Sequence, residues 1–473
     1  MRLVVLTGIL GVCLSQSISV QGQQKKTNIK SNEVATAWAD MTLHVVKKAK
    51  KNSPTYGSRA IGYLGLTMYE TVVYAAPGHR SVARKLSPGL SLPKPKRRKS
   101  ICWELALNAG QAYMLKALYG YTGRIKPIDS LKQYIHDRYA TGLKPKDVER
   151  SEKFGEAVAI AIFEWSKSDG GHEAYQRNFP YEYKRPRGEG YWIPPYHGQS
   201  SSKFPLHPNW GQNRTFSAQN GRLPVPKPFP YSKDTASQYY KHYKEVFERK
   251  KILTDEDRTI VMWWSDDPSE TYAPPGHSYN LATIAIRKTQ ADLVKAAETY
   301  AKVGMAVADA FVNCWKTKFS FNVERPTTYI RASVDPQTQW NPWEPFFLEP
   351  PFPAFYSGHA VQSAATATVL TAMFGDNFAF VDDTHTSRPM LAYQVKNKLP
   401  DGAPTSENYT EYMPTFTDHT LIYKARPYKS FWESAKECAE SRLLGGIHTR
   451  QDNEVGLGEG TKIANNINAL RWH

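Results

Sequence analysis

Between Thr289 and Thr317 the apolar positions Leu293, Ala297, Tyr300, Val303, Val307, Ala310 and Cys314 recur every three or four residues. A stripe of that length folds as one helix about 40 Å long at 1.5 Å per residue, and its apolar face must be buried. Such a helix needs helical neighbours, and the chain supplies their patterns. Asn32-Glu33 opens a segment running to about Lys51. Ser58 to about Ala75 carries Ile61, Leu64, Met68 and Val72 at helical spacing. Trp103 to Leu118 and Val148 to Ser166 continue the pattern, and Asp169-Gly170-Gly171 stops the last of these. Further on, Ser357-Gly358 opens a helix that runs to Phe374, with Gly375 as its stop. Phe431 to about Gly445 is another, and Thr461 to Leu470 a short last one. Few segments alternate. The fold class expected is all-α, a large helical bundle with at most minor strands.

From Phe179 to about Pro230 the character changes. Pro194-Pro195, Pro208 and Pro224 forbid long helices there. A loop this long in a compact protein is functional or packed, and Trp192, Phe204 and Trp210 predict a packed cover. The chain therefore divides into an N-terminal segment 1–22, a helical region 23–183, a covering loop 184–235 and a helical core 236–473.

The segment 1–22 reads as a signal peptide. Arg2 supplies the positive start, Leu3 to Leu14 is apolar, and Ser15 to Gln24 is small and polar, with cleavage near Gly22. The apolar run is too short to span a bilayer, and no later stretch qualifies, so the expected location is secreted or periplasmic. Cys102, Cys314 and Cys438 are too few and too odd in number for a disulfide framework, and the last two read as small buried helix residues. The net charge of +17 is a solvated basic surface that also draws small anions toward a cleft. The basic run Lys94, Lys96, Arg97, Arg98, Lys99 is short, Pro-flanked and without a nucleic-acid motif, so no nucleic-acid partner is expected.

Three short segments of the second half carry chemistry. Lys318-Phe-Ser-Phe-Asn-Val-Glu-Arg325-Pro326 places two cations just beyond the end of the long helix. Phe352-Pro353-Ala-Phe-Tyr356-Ser357-Gly358-His359 runs a turn into a helix, so free backbone N–H groups and the helix dipole converge on an anion site. Ser441-Arg442-Leu-Leu-Gly-Gly-Ile-His448-Thr-Arg-Gln-Asp452 adds a third cation, a histidine, and a carboxylate able to orient it. Each alone has a bland reading: a surface turn, an ordinary helix start, a core histidine. Together they supply what a multiply charged tetrahedral oxyanion needs.

In order and spacing these segments resemble the three-part signature of the type-2 phosphatidic acid phosphatase and vanadium haloperoxidase superfamily. One letter departs, since Tyr356 stands where the pattern has Pro. The resemblance covers roughly residues 236 to 473. It implies that Lys318, Arg325 and Arg442 grip the equatorial oxygens, and that Ser357 and the Gly358 N–H complete the cradle. His359 would be the general acid/base, and His448 would bond the central atom with Asp452 as its partner. The implied cofactor is vanadate, with hydrogen peroxide as oxidant and a halide as reductant. A secreted acid phosphatase with a phosphohistidine on His448 is the alternative, and a non-catalytic anion-binding protein a second.

Chain length and Trp315, three residues before Lys318, are similar to the haloperoxidases. So is the segment Trp263-Trp264-Ser-Asp266-Asp267-Pro with Thr271-Tyr-Ala-Pro-Pro-Gly-His277. There an aspartate pairs with the cradle arginine, which implies Asp267 with Asp266 as the alternative. Phe352 lies where algal bromoperoxidases carry His, and where fungal chloroperoxidases and bacterial iodoperoxidases carry Phe. With the signal peptide, bacterial iodoperoxidases are the nearest likeness, and iodide or bromide is the halide expected.

Overall fold

A computed structural model describes residues 29–96, 99–195, 198–200, 202–267, 271–336, 342–388 and 423–473, and the backbone of 391–396 and 411–416. The expected signal peptide lies outside the described residues. The main helices are α1 (Glu33–Lys48), α2 (Pro54–Val72), α3 (Trp103–Tyr119), α4 (Ile125–Ala140), α5 (Pro145–Ser166) and α6 (Gln238–Lys251). They continue with α7 (Asp255–Trp263), α8 (Ala273–Thr289), α9 (Leu293–Phe321), α10 (Gly358–Phe374), α11 (Phe431–Leu444) and α12 (Arg450–Asn468). Strand is minor. β1 (Phe380–Asp382) pairs antiparallel with β4 (Arg426–Tyr428), Phe380 opposite Tyr428. β2 (Leu391–Lys396) pairs with β3 (Glu411–Phe416), Leu391 opposite Phe416. The all-α reading holds.

The long stripe forms α9, which runs through the main core and is buried on nearly every side. It begins at Leu293, where Asp292 accepts a hydrogen bond from the Lys295 N–H, later than the pattern's edge at Thr289. It ends at Phe321, so Lys318 sits inside its last turn and not beyond its end. The helix α2 crosses α9 at backbone contact: a Cβ on Gly65 would lie 2.4 Å from the Tyr300 carbonyl oxygen, and one on Gly304 2.4 Å from that of Ile61.

The last helix corrects the sequence expectation most. A short 461–470 segment was expected, but α12 starts at Arg450. Its start is a capping box, with the Thr449 hydroxyl accepting from the Asp452 N–H and the Asp452 carboxylate accepting from the Thr449 N–H. Gly456, Gly458 and Gly460 obscure the pattern, yet two of them let α12 lie against α10. A Cβ on Gly460 would sit 2.2 Å from the Val361 oxygen, and one on Gly456 2.8 Å from the Ala360 Cβ. Missed elements include α6, whose charged sequence hides its periodicity, and α8, which opens on Pro274-Pro275 in its first turn.

In the covering loop Trp192 and Trp210 are buried, whereas Phe204 stands exposed. The loop is tied down near the end of α9: the Trp192 N–H donates to Asn322 O at 2.7 Å, and the Trp315 indole donates to Leu206 O at 3.0 Å. Cys102, Cys314 and Cys438 are all free and buried. Among the described residues no helix is long and apolar enough to cross a membrane.

Candidate oxyanion site

Four helix ends converge. Lys318 comes from the last turn of α9, Ser357 and His359 from the start of α10, Arg442 from the last turn of α11, and Asp452 from the first turn of α12. Arg325 follows α9 after Asn322 turns the chain, and His448 sits in the α11–α12 connection, where Gly446 takes a φ of 76°. Lys318, Arg325, Arg442, Ser357, His448 and Asp452 are all buried. The structure thus brings the three spaced segments to one place.

The three cations differ in what they have left to offer. The Lys318 ammonium donates to Pro353 O at 2.9 Å and Ala354 O at 2.6 Å, which uses two of its three N–H groups. The Arg325 fork is largely filled. Its Nε and Nη2 donate to Phe352 O at 3.1 and 3.0 Å, and its Nη1 to Ile447 O at 2.8 Å and His448 Nε2 at 3.1 Å. Arg442 is the opposite case. Its Nη1 approaches His359 Nε2 at 3.1 Å, but its Nε and Nη2 are buried with no acceptor. The expectation that all three grip oxygens alike is therefore refined: the open donors belong to Arg442 and, in part, to Lys318.

The α10 start adds more donors. Ser357 is the N-cap, its hydroxyl accepting from the Ala360 N–H at 3.3 Å. The N–H groups of Gly358 and His359 in the first turn have no intrahelical acceptor. A Cβ built on Gly358 would find only Trp315, at 3.8 Å, so the first turn of α10 is not packed against other atoms on that side. Tyr356, the departure from the family pattern, is fully buried and leaves the cap in place.

Electrostatics point the same way. Burial pushes the Lys318 ammonium down to about 7 and Arg325 down to about 10. Burial, then Arg442, holds His359 well below its ordinary value. Burial, then Arg325 and Lys318, does the same to His448. His448 is therefore neutral. Its Nδ1–H donates to Asp452 Oδ2 at 2.9 Å, which fixes the tautomer and leaves Nε2 as an unprotonated lone pair facing the cations. Burial raises Asp452 to about 6, so it is still largely ionised at neutral pH. The site is buried, and Arg325 and Arg442, with Lys318 protonated in part, bring it more positive charge than Asp452 balances. An unmatched buried guanidinium N–H is expensive unless an anion fills the place. A tetrahedral oxyanion such as vanadate or phosphate fits these donors, with His448 Nε2 as the atom able to bond its centre.

Phe352 packs 4.8 Å from the Trp315 ring, with Lys318 Nζ 5.3 Å from its ring centroid. Asp267 accepts from Gln199 at 3.3 Å and acts electrostatically on Arg442. Its alternative, Asp266, points elsewhere, to His277 and His385. Sequence reasoning missed Phe347, whose ring lies 5.0 Å from the Arg442 guanidinium, and the partners Asp382 and His385. No local spacing could have found these.

The family model for the second helical-bundle domain of VCPO matches residues 298–471, a stretch that holds all three segments. The vanadium chloroperoxidase of Curvularia inaequalis is 26% identical over 220 residues. That match covers 40% of this chain and only 35% of that relative's length. Among solved structures, the first bacterial vanadium-dependent iodoperoxidase is 29% identical, with a TM-score of 0.73, covering 94% of this chain and 97% of that one. A holo-type bacterial vanadium-dependent chloroperoxidase is 14% identical, with a TM-score of 0.64 over 89% of this chain and 93% of that one, which shows a shared fold.

Proposed function

This chain belongs to the vanadium haloperoxidases, and from that premise we propose that it holds vanadate and uses hydrogen peroxide to oxidise a halide, iodide or bromide. The observation that carries this reading is the pair of buried, acceptor-less donors on Arg442, whose Nη1 meets His359, together with the neutral His448 Nε2 that faces Arg325.

Arg442 Nε and Nη2, the remaining Lys318 N–H and the Gly358 N–H would bind the oxyanion. Lys318 and Arg325 supply positive charge while anchored on carbonyl oxygens. The His448 Nε2 lone pair is the ligand atom, and Asp452 keeps the proton on the far nitrogen. Bound vanadate would supply the electrophilic centre at which peroxide becomes able to pass an oxygen to halide. His359 is held neutral by burial and Arg442, so it is ready to take a proton from incoming peroxide and return it. Phe352 and Trp315 make an apolar wall beside the cations, where low dielectric strengthens their attraction for a large halide that gives up its water at comparatively low cost.

The test compares vanadium content, peroxide-dependent oxidation of iodide, bromide and chloride, and phosphate-ester hydrolysis in one preparation. Stoichiometric vanadium with iodide or bromide oxidation is expected. Ester hydrolysis through a phosphohistidine, without halide oxidation, would replace this reading with a phosphatase. His359→Ala should retain much of the vanadium and lose most of the oxidation. Unchanged activity would remove His359 from proton transfer. Export belongs to the same proposal: the mature protein should begin near residue 23, and an intact Met1 on protein recovered outside the cytoplasm would remove the signal-peptide reading.

A further inference from the structure

A second buried polar cluster lies behind the cradle, and anion binding makes no use of it. Asp266 follows α7 with a φ of 50°, in the left-handed region that is strained for a non-glycine residue. Strain of this kind persists only where the surroundings enforce it. Here the enforcing group is His277 of α8, whose Nδ1 lies 2.9 Å from Asp266 Oδ2. On the other edge of the same ring, Nε2 lies 2.8 Å from Asp382 Oδ2 at the end of β1. A carboxylate accepts, so each ring nitrogen must carry a hydrogen and the ring is an imidazolium. Trp264 stacks on its face at 4.5 Å and 14°. His385 is the third neighbour. Its Nδ1 lies 3.0 Å from Arg388 Nη1, so its hydrogen is on Nε2, which donates to Asp266 Oδ1 at 2.9 Å. Two carboxylates against one imidazolium leave one net negative charge in a fully buried place.

The path to the cradle is one residue long on each side. The backbone of Ser265 is a hydrogen-bond partner of the His359 ring, while Asp267 acts on Arg442.

We propose that Asp266, His277 and Asp382 form a positioning element that locks the 265–267 turn. The Ser265 carbonyl then orients the His359 ring and Asp267 balances Arg442. Its value to turnover rests on His359 being the proton-handling group of the proposed reaction, but its effect on the ring does not. An imidazolium between two carboxylates is suited to this task. It resists deprotonation, being raised to about 10, chiefly by Asp266 and Asp382 against the opposing cost of burial. The lock therefore stays closed while the cradle beside it takes up and releases protons.

The experiment uses full-length protein with 15N-labelled histidine, read by NMR with and without inorganic phosphate, alongside peroxide-dependent iodide oxidation. In the wild type the His277 ring should show both nitrogens protonated from pH 6 to pH 9. A neutral tautomer at pH 7 would overturn the proposal. In His277→Gln the His359 ring should change tautomer ratio or shift its titration by about one pH unit. Phosphate affinity should stay within about 3-fold, kcat should fall about 10-fold with little change in KM for peroxide, and the acid limb of the pH profile should move. Asp382→Asn, which keeps the shape, should show the same changes at smaller size. A lower yield of folded protein with an unmoved pH profile and unmoved His359 signals would reduce the triad to a structural role and overturn the proposal. Stoichiometric zinc in the purified protein, lost in His277→Gln, would also overturn it, because Asp266, His277 and His385 would then be metal ligands. If the wild type oxidises no halide, the proposed reaction fails, and the His359 signals still decide the coupling.

Discussion

The cradle and the triad behind it are built from the same materials: buried histidines, carboxylates and cations within one helical bundle. In the triad every histidine nitrogen has a partner, and Asp382 Oδ2 accepts from both His277 and the Trp263 indole at 3.1 Å. In the cradle Arg442 keeps two buried donors unmatched, and His448 keeps an unprotonated nitrogen that faces cations. Both are costly to bury, but only the first has met that cost within the chain. A buried polar group with all partners is scaffold, whereas one lacking partners beside excess charge of one sign marks where a ligand of the other sign completes the structure.

The largest effect expected is at the bond to the anion's central atom. His448→Ala should lower vanadate affinity by more than the roughly 10–100-fold lost with a ligand's orienting partner, with far-UV circular dichroism unchanged. Vanadium content like the wild type's would place the ligand elsewhere and break the contrast drawn here.

Arg442→Lys sharpens it. The charge stays but the unmatched Nε and Nη2 donors go, so vanadate and phosphate should both bind about 10- to 100-fold more weakly, roughly 1.4–2.8 kcal/mol. Equal affinity in equilibrium titration would mean that charge alone holds the anion. Because charge and shape are what the cradle reads, phosphate in millimolar excess should also slow recovery of activity when vanadate is added to apoenzyme. Recovery at an unchanged rate would show two separate sites.

The smallest effect concerns pH and stability. His359 is held below its ordinary value of about 6.5, so between that value and its folded-state value the unfolded chain binds more protons than the folded one. Its contribution to stability is present above about pH 6.5 and is lost as pH falls. Anion-free His359→Gln lacks this loss. Relative to it, the anion-free wild type should weaken by about 1.4 kcal/mol at one unit below the ordinary value. Denaturant melts at pH 7.5 and 5.5 measure the difference, and a reversed sign would show that the ring is not held neutral.

The residues that touch the anion were legible because their chemistry demands fixed types at fixed spacing: Lys318 to Arg325, Ser357 to His359, Arg442 to His448 to Asp452. What surrounds them was not. Asp382 lies 105 residues from His277 along the chain, and no local pattern links them. Asp266 and Asp267 are adjacent and alike in sequence, and the left-handed backbone at Asp266 accompanies different partners for the two: His277 and His385 for Asp266, Gln199 for Asp267. The start of α12 was lost because glycines read as breakers, when here they are the price of close packing. The division at 184–235 came from composition, and the glycines at which α2 packs on α9, Gly65 and Gly304, join the regions on either side of it.

That packing bears on how the enzyme could be re-engineered. Gly456 and Gly460 never face the anion, yet they let the helix carrying Asp452 lie directly on the helix that begins at Ser357. Any side chain at either position pushes the two halves of the cradle apart. A library aimed at a new halide preference should therefore randomise Phe352 of the apolar wall and Phe347 against Arg442, and hold Gly456 and Gly460 invariant, since there the functional trait is a missing atom.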